Sequence, residues 1–271
     1  MNQPQNIIHF VGAGPGDPEL ITVKGSRLLA AAELVVYTGS LVPRELLRGL
    51  AAEIHDSAGL TLAEVIDLLA AGWRAGKNVV RLHTGDPTIY GAIGEQMARL
   101  AELGIPWRVV PGVSSATAAA AALDAELTLP EISQTVIITR RGGRTPVPAA
   151  EDLTGLAAHQ ATMLILLSAG MIEQVVAELL AGGYPSTTPA AVVEKASWPE
   201  QRIVRGTLAD IAAKTTAAGI TKTAIIAVGR VLAAAPPPVL SKLYDAGFSH
   251  GYRSGGGQQT ADRKRERKRR N

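Results

Sequence analysis

Two loops rich in glycine, proline and aspartate are where this chain could do chemistry. The first is VGAGPGDPELIT, Val11 to Thr22, after the apolar run Ile7, Ile8, Phe10; the second is TGDPTIYG, Thr84 to Gly91, after Val79, Val80 and Leu82. Each stands where a β-strand should end. In an open parallel α/β sheet, ligands bind in the crevice beyond the carboxyl ends of the strands. Two such loops therefore predict one small-molecule site with walls made largely of main chain. Asp86 is the side chain best suited to accept from hydroxyl or amino groups of a ligand. An aspartate before a proline, here Pro87, also serves simply to form a turn.

The first loop departs from a dinucleotide fingerprint. In G-x-G-x-x-G the third glycine would fall at position 17, whereas here the glycines are Gly12, Gly14 and Gly16, and Asp17 takes that place. Pro15 and Pro18 remove two backbone donors that could cradle a pyrophosphate. The strand expected at Glu33 to Tyr37 ends in Thr38 and Gly39, not in an acid that would read a ribose. These departures argue against NAD or FAD, the oxidoreductase alternative. A tight turn with no ligand contact remains an equal reading of Gly12 and Gly14.

The elements that position these loops follow from the apolar pattern. Thr22 caps an expected helix to about Ala32, followed by the strand ELVVY, a short helix from Pro43 to Leu50 and a short strand at Glu53 to His55. Thr61 to Gly76 is a long helix with Leu62, Val65, Ile66 and Leu69 on one face. NVVRL is a strand, Ile93 to Leu103 a helix, and Trp107 to Val110 a strand ending at Pro111-Gly112. Such alternation predicts a mostly parallel sheet covered on both faces. After the Ala-rich helix SSATAAAAALDAEL the pattern changes: QTVIIT, ATMLILL, PAAVVEK, QRIVRG and TAIIAV read as strands with fewer helices between them. The link Glu194 to Gln201 is too short for a crossover, so PAAVVEK and QRIVRG should pair antiparallel. The fold class is thus α/β, in two αβα units: 1–112 with a mostly parallel sheet and 113–235 with a mixed sheet. Pro236 to Pro238 opens a flexible basic tail, 236–271.

Composition bounds the function further. Of 27 basic and 24 acidic residues, seven and two lie in DRKRERKRRN, 262–271, leaving 20 against 22 in the rest of the chain. The excess charge belongs to a solvated tail, so nucleic-acid binding is a secondary alternative resting on that run alone. No apolar stretch reaches the ~18 residues of a membrane span, and MNQPQNIIHF lacks the segments of a signal peptide. With no cysteine and with His9, His55, His83, His159 and His250 scattered, no disulfide and no metal site is expected, and the compartment reads as cytoplasmic.

In this order and spacing, VGAGPGDPELIT, RLHTGDPTIYGAIGEQ, VPGVSSATAAAA and VVEKASWPEQRIVRGTL resemble the tetrapyrrole (corrin/porphyrin) methyltransferases, which use S-adenosylmethionine. The resemblance covers nearly all of residues 6–232. YTGSLVP (37–43), ELTLPEISQTVIITR (126–140), GRTPVP (143–148) and KASWP (195–199) narrow it to the branch that methylates precorrin-4 at C11 in cobalamin synthesis. Cobalt-precorrin-4, or C-methylation of another precorrin, is the alternative.

The resemblance implies a cofactor cleft between two αβα domains and a homodimer. Carried over by motif, Pro15, Thr84, Gly85, Asp86, Ile89, Ser114, Ser115, Leu167 and Ala196 would contact S-adenosylmethionine and its product S-adenosylhomocysteine. Met171 would replace Leu167 in a shifted alignment. The related uroporphyrinogen methyltransferases carry an aspartate where this chain has Gly39, so no carboxylate base is available there. No single catalytic side chain is certain, and Asp86 is the best candidate. Methyl transfer from a sulfonium depends chiefly on positioning. A precorrin is flat and fringed with carboxylates, and Arg140, Arg141 and Arg144 are candidates for binding that fringe, or else charges on a solvent-facing loop. Lys195 and Arg44 are weaker candidates. Tyr90 and Trp198 could face the cleft, though a core or interface role suits Trp198 better.

Overall fold

The computed structural model describes residues 6–233, 241, 242, 245 and 247–253. The basic run 262–271 and most of the expected tail lie outside the described residues. Two five-stranded sheets divide the chain. The first joins β1 (Ile8–Gly12), β2 (Leu34–Tyr37), β3 (Glu53–Asp56), β4 (Val79–His83) and β5 (Trp107–Val110), all parallel, in the order β3-β2-β4-β1-β5. Its helices are α1 (Val23–Ala30), α2 (Leu62–Arg74) and α3 (Ile93–Glu102). Thr22 starts α1 by accepting from the Gly25 N–H at 3.1 Å, and Thr61 and Glu64 close a reciprocal capping box on α2. The segment expected as a helix at 43–50 makes only a 3-10 turn, Arg44–Leu47, ahead of left-handed Gly49 (φ +77°).

The second sheet joins β6 (Val136–Arg140), β7 (Thr162–Leu166), β8 (Pro189–Glu194), β9 (Arg202–Thr207) and β10 (Ala224–Val228), in the order β6-β7-β10-β8-β9. β6 and β7 are parallel, and every other pair is antiparallel, including β8 with β9 as their short link requires. The Ala-rich helix α4 (Ser115–Ala122) packs Ala116, Ala118 and Ala119 on this second sheet, against Leu164, Val193 and Ala227. It ends earlier than its Ala-rich segment suggests, because Asp124 turns left-handed (φ +52°). The Ala125 N–H then reaches back to the Ala120 carbonyl at 3.1 Å, closing the helix in the manner of a Schellman motif.

The ends of β1, β4 and β5 touch through glycine. A Cβ on Gly12 would lie 2.6 Å from the Gly112 Cα and 2.6 Å from the Gly85 carbonyl oxygen; one on Gly112 would lie 2.2 Å from that same oxygen. Only residues without a side chain at 12 and 112 let these backbones cross, and Gly85 supplies the left-handed turn (φ +61°) between them. Gly85 and Gly14 also bridge, the Gly85 N–H donating to the Gly14 carbonyl at 2.8 Å. Gly112→Ala should therefore cost about 1–3 kcal/mol of stability, the usual range for overpacking. Gly94→Ala, in α3 with nothing within 4 Å of its added Cβ, should be neutral or stabilise by up to about 1 kcal/mol. Urea unfolding of both variants checks the contrast.

Candidate active site

The loops beyond these strand ends enclose a cavity of about 480 Å³, within the roughly 300–1,000 Å³ usual for small-molecule sites. The structure gathers around it all nine residues carried over as cofactor contacts: Pro15; Thr84, Gly85, Asp86 and Ile89; Ser114 and Ser115; Leu167; and Ala196. They come from five separate stretches of chain and from both sheets.

Each is held by local chemistry. The Thr84 N–H donates to the Thr38 hydroxyl at 3.2 Å, and the two hydroxyls lie 3.3 Å apart. Ser114 caps α4, its Oγ accepting from the Ala116 N–H at 3.2 Å. Asp86 is a strut: Oδ1 accepts from the N–H and hydroxyl of Thr88, and Oδ2 accepts from the Gly112 N–H at 3.0 Å. Three of the roughly four acceptor sites of a carboxylate are thus taken within the protein. Its main work is to tie the loop after β4 to the loop after β5, beside the glycine crossing.

The second half of the chain closes on the first loop. The Trp198 indole N–H donates to the Pro15 carbonyl at 2.8 Å, and the Asp17 N–H donates to the Ser197 hydroxyl at 3.0 Å. A Cβ on Gly16 would meet the Trp198 ring at 2.1 Å. The third glycine of the loop therefore makes room for an indole from the KASWP segment, which is why it falls outside the dinucleotide spacing. Trp198 thus joins the two halves of the chain and also lines the cavity.

Four residues with side chains adopt left-handed backbone along the cavity wall: Tyr90 (φ 54°), Leu167 (φ 55°), Lys195 (φ 47°) and Thr223 (φ 53°). Each such conformation costs on the order of 1–3 kcal/mol, and such costs cluster where a structure holds a site in shape. Leu167 is 69% exposed although apolar. Met171 is absent from the lining; its Sδ accepts from the Arg141 Nη1 at 3.4 Å and packs beneath Gly143.

The electrostatics of the cavity edge centre on β4. Arg81, buried in mid-sheet, donates to the Gln96 amide oxygen at 3.0 Å, the Val36 carbonyl at 3.2 Å and the Ser57 hydroxyl at 2.9 Å; burial lowers its pKa to about 10, leaving it charged. His83, two residues on, is 2% exposed, stacks on Phe10 at 5.9 Å and lines the cavity. Burial first and the Arg81 charge second hold its pKa down at about 3, so the imidazole is neutral at physiological pH.

The candidate substrate arginines lie apart from the cavity lining. Arg140 donates to the carbonyls of Thr145 and Pro146, and Arg141 to the Glu178 carboxylate at 2.8 Å. Arg144 is exposed on the same loop. Arg140 remains within electrostatic reach of Tyr90, whose phenol is raised mainly by burial, with Arg140 opposing. Lys195, Tyr90 and Trp198 do line the cavity, and so do Thr38, Leu41, His83 and Lys222, which sequence reasoning did not single out. For Thr38 and Leu41 the YTGSLVP segment was the available signal, and for His83 the RLHTGDP segment; for Lys222 there was none.

The family Tetrapyrrole (Corrin/Porphyrin) Methylases matches residues 7–212. A cobalt-precorrin-4 C(11)-methyltransferase of Methanocaldococcus jannaschii is 56% identical over 248 residues, 90% of this chain and 95% of that protein. A precorrin-4 C(11)-methyltransferase of Pseudomonas aeruginosa is 50% identical, covering 92% and 99%. Among solved structures, a cobalt precorrin-4 methyltransferase superposes with a TM-score of 0.82 at 46% identity, covering 84% of this chain and 97% of that one. Uroporphyrin-III C-methyltransferase from Thermus thermophilus, complexed with S-adenosylhomocysteine, superposes at 0.71 with 32% identity, covering 83% and 93%. The chain belongs to the tetrapyrrole methylase family.

The strut makes a direct prediction. Asp86→Ala, which leaves the Gly112 and Thr88 N–H groups without their acceptor, should lower unfolding free energy by about 2–3 kcal/mol, and Asp86→Asn by roughly half as much. Denaturant titration of the two variants checks this.

Proposed function

We propose that this protein transfers a methyl group from S-adenosylmethionine to C11 of precorrin-4. The observation that carries the reading is the convergence of all nine donor-site residues, from both halves of the chain, on one cavity with walls of backbone and aliphatic groups. Relatives of 50% and 56% identity that bear this activity, matched almost end to end, support the choice of substrate. Their names differ in cobalt alone, and the metal-free and cobalt forms differ little at the ring edge.

The residues present fit the donor. Gly85 presents bare main chain to the cavity, while Ile89, Leu167, Val193 and Ile225 supply apolar wall. When bound, the sulfonium supplies an electrophilic methyl group and its charge disperses as that methyl leaves. The chain contributes geometry: the Asp86 strut and the Trp198 contact fix the two sides of the cleft, and water is kept from an apolar wall. Well-oriented positioning of this kind supplies roughly 7–11 kcal/mol in favourable cases. With Asp86 occupied by Gly112 and Thr88, and His83 neutral, no strong base stands ready, and C-methylation by a sulfonium needs none for the bond-forming step.

In this reading residues 1–112 and 113–235 act as two domains around the cleft, and the enzyme works in the cytoplasm as a homodimer, as the family resemblance suggests. Arg140, Arg141 and Arg144, outside the cavity lining, would meet the carboxylate fringe of a macrocycle broader than the cavity. Arg144, exposed, is the first of them to test.

Incubation with precorrin-4 and methyl-labelled S-adenosylmethionine should yield one new labelled methyl carbon on C11 by NMR, and calorimetry should register S-adenosylhomocysteine but not NADH. A label on another ring carbon would move the protein to a sister activity, and NADH binding would return the oxidoreductase reading.

A further inference from the structure

Two large apolar side chains of the first half stand open on the cavity and have no place among the nine donor contacts. Tyr90, in the loop after β4, is 47% exposed, and Leu41, after β2, is 41% exposed; both line the cavity. β2 and β4 are hydrogen-bonded neighbours, so the two loops leave adjoining strand ends. Neither residue belongs to a hydrophobic cluster of the described residues. Their apolar surface therefore serves no core.

Tyr90 holds its place at the expense of its backbone. Its φ of +54° is left-handed, a region that glycine enters freely and a bulky side chain rarely does. The loop is tightly folded on both sides of it. A Cβ on Gly91 would come within 2.1 Å of the Pro87 carbonyl oxygen, and Ala92 is left-handed as well (φ +50°). A glycine at position 90 would make the same turn without strain. Such an outlier on a cavity wall, with its ring open to the ligand space, calls for a use of the ring itself. The side chain also reaches the second half of the chain, where Thr139 and Arg140 at the end of β6 act on its phenol.

We propose that the Tyr90 ring is the platform on which the flat face of the tetrapyrrole rests, with Leu41 extending the same apolar lip. This rests on the function proposed above. An aromatic ring with only two side-chain torsions gives a large contact area at small cost in side-chain freedom. It matches a ligand that is flat and fringed with carboxylates, and Arg140, beside the phenol, stands where that fringe passes the ring. Tyr90 binds substrate and takes no part in methyl or proton transfer; it sets the height of the macrocycle against the methyl donor. The donor's adenine is flat too, and the test separates the two ligands.

Steady-state kinetics with precorrin-4, its affinity from quenching of tryptophan fluorescence, calorimetry with S-adenosylhomocysteine and melting temperatures should be compared for wild type, Tyr90→Ala, Tyr90→Gly and Tyr90→Phe. The alanine and glycine variants should raise KM and Kd for the tetrapyrrole about 5–100-fold, the loss of one ring-on-ring contact. Tyr90→Phe should recover most of that loss. All three should bind S-adenosylhomocysteine within about threefold of wild type, below the usual cost of a lost hydrogen bond. Tyr90→Gly should melt about 2–4 °C above Tyr90→Ala, because glycine relieves the left-handed backbone. Unchanged tetrapyrrole affinity in Tyr90→Ala overturns the proposal, as does a phenylalanine variant as weak as alanine, which would make the hydroxyl the contact. Lost S-adenosylhomocysteine binding would give the ring to the donor, and a glycine variant melting below alanine would make Tyr90 structural; either result overturns it. Wild type that methylates another carbon, or none, overturns the proposed function, and the precorrin-4 affinities of the same variants then decide the platform separately.

Discussion

Three backbones crossing at Gly12, Gly85 and Gly112 constrain everything else in this molecule. The loops after β1, β4 and β5 approach so closely that no side chain fits between them, and the Asp86 carboxylate then pins one of them to another through the Gly112 N–H. Strand ends that would otherwise be separate become one surface of main chain. The second sheet is held against that surface by the Trp198 indole on Pro15 and Gly16 and by Ser197 on Asp17. The cleft is therefore a consequence of how glycine and an indole pack, before any ligand is considered.

Much of this was legible in the residues themselves. The alternation of apolar strands and capped helices is a local property, and so is the shortness of the 195–201 link that forces β8 and β9 antiparallel. The Gly, Pro and Asp loops announced a site because few other functions need such backbone freedom at strand ends, and motif by motif they located the cavity lining. What escaped depends on contacts between distant residues. That Arg141 pairs with Glu178, 37 positions along the chain, could not be read from its own loop. Asp86 looked like a ligand for the cofactor, and its neighbours Thr88 and Gly112 take most of its acceptor capacity. The left-handed Tyr90, Leu167 and Lys195 carry side chains that do not advertise such backbone. Gly16 was read by its spacing, whereas its reason lies in Trp198, 182 positions later.

The chemistry follows from the same economy of side chains. A sulfonium donor asks for alignment and an apolar wall, both of which backbone and aliphatic residues provide. Of the ionisable groups near the cavity, Asp86 is engaged within the protein and His83 is kept uncharged by burial and by Arg81. A site of this design tolerates changes at single side chains better than changes at the glycines that let the walls meet. The left-handed residues along the wall indicate that the fold spends stability to hold this shape.

The most direct measurement is a crystal structure of the protein grown with S-adenosylhomocysteine. The account predicts the ligand in the cleft between the two sheets, with Pro15, Gly85, Ser114 and Ala196 against it and main-chain groups supplying most of its hydrogen bonds. Density for the ligand at any other place, or a cleft that stays free of it at saturating concentration, would contradict the account.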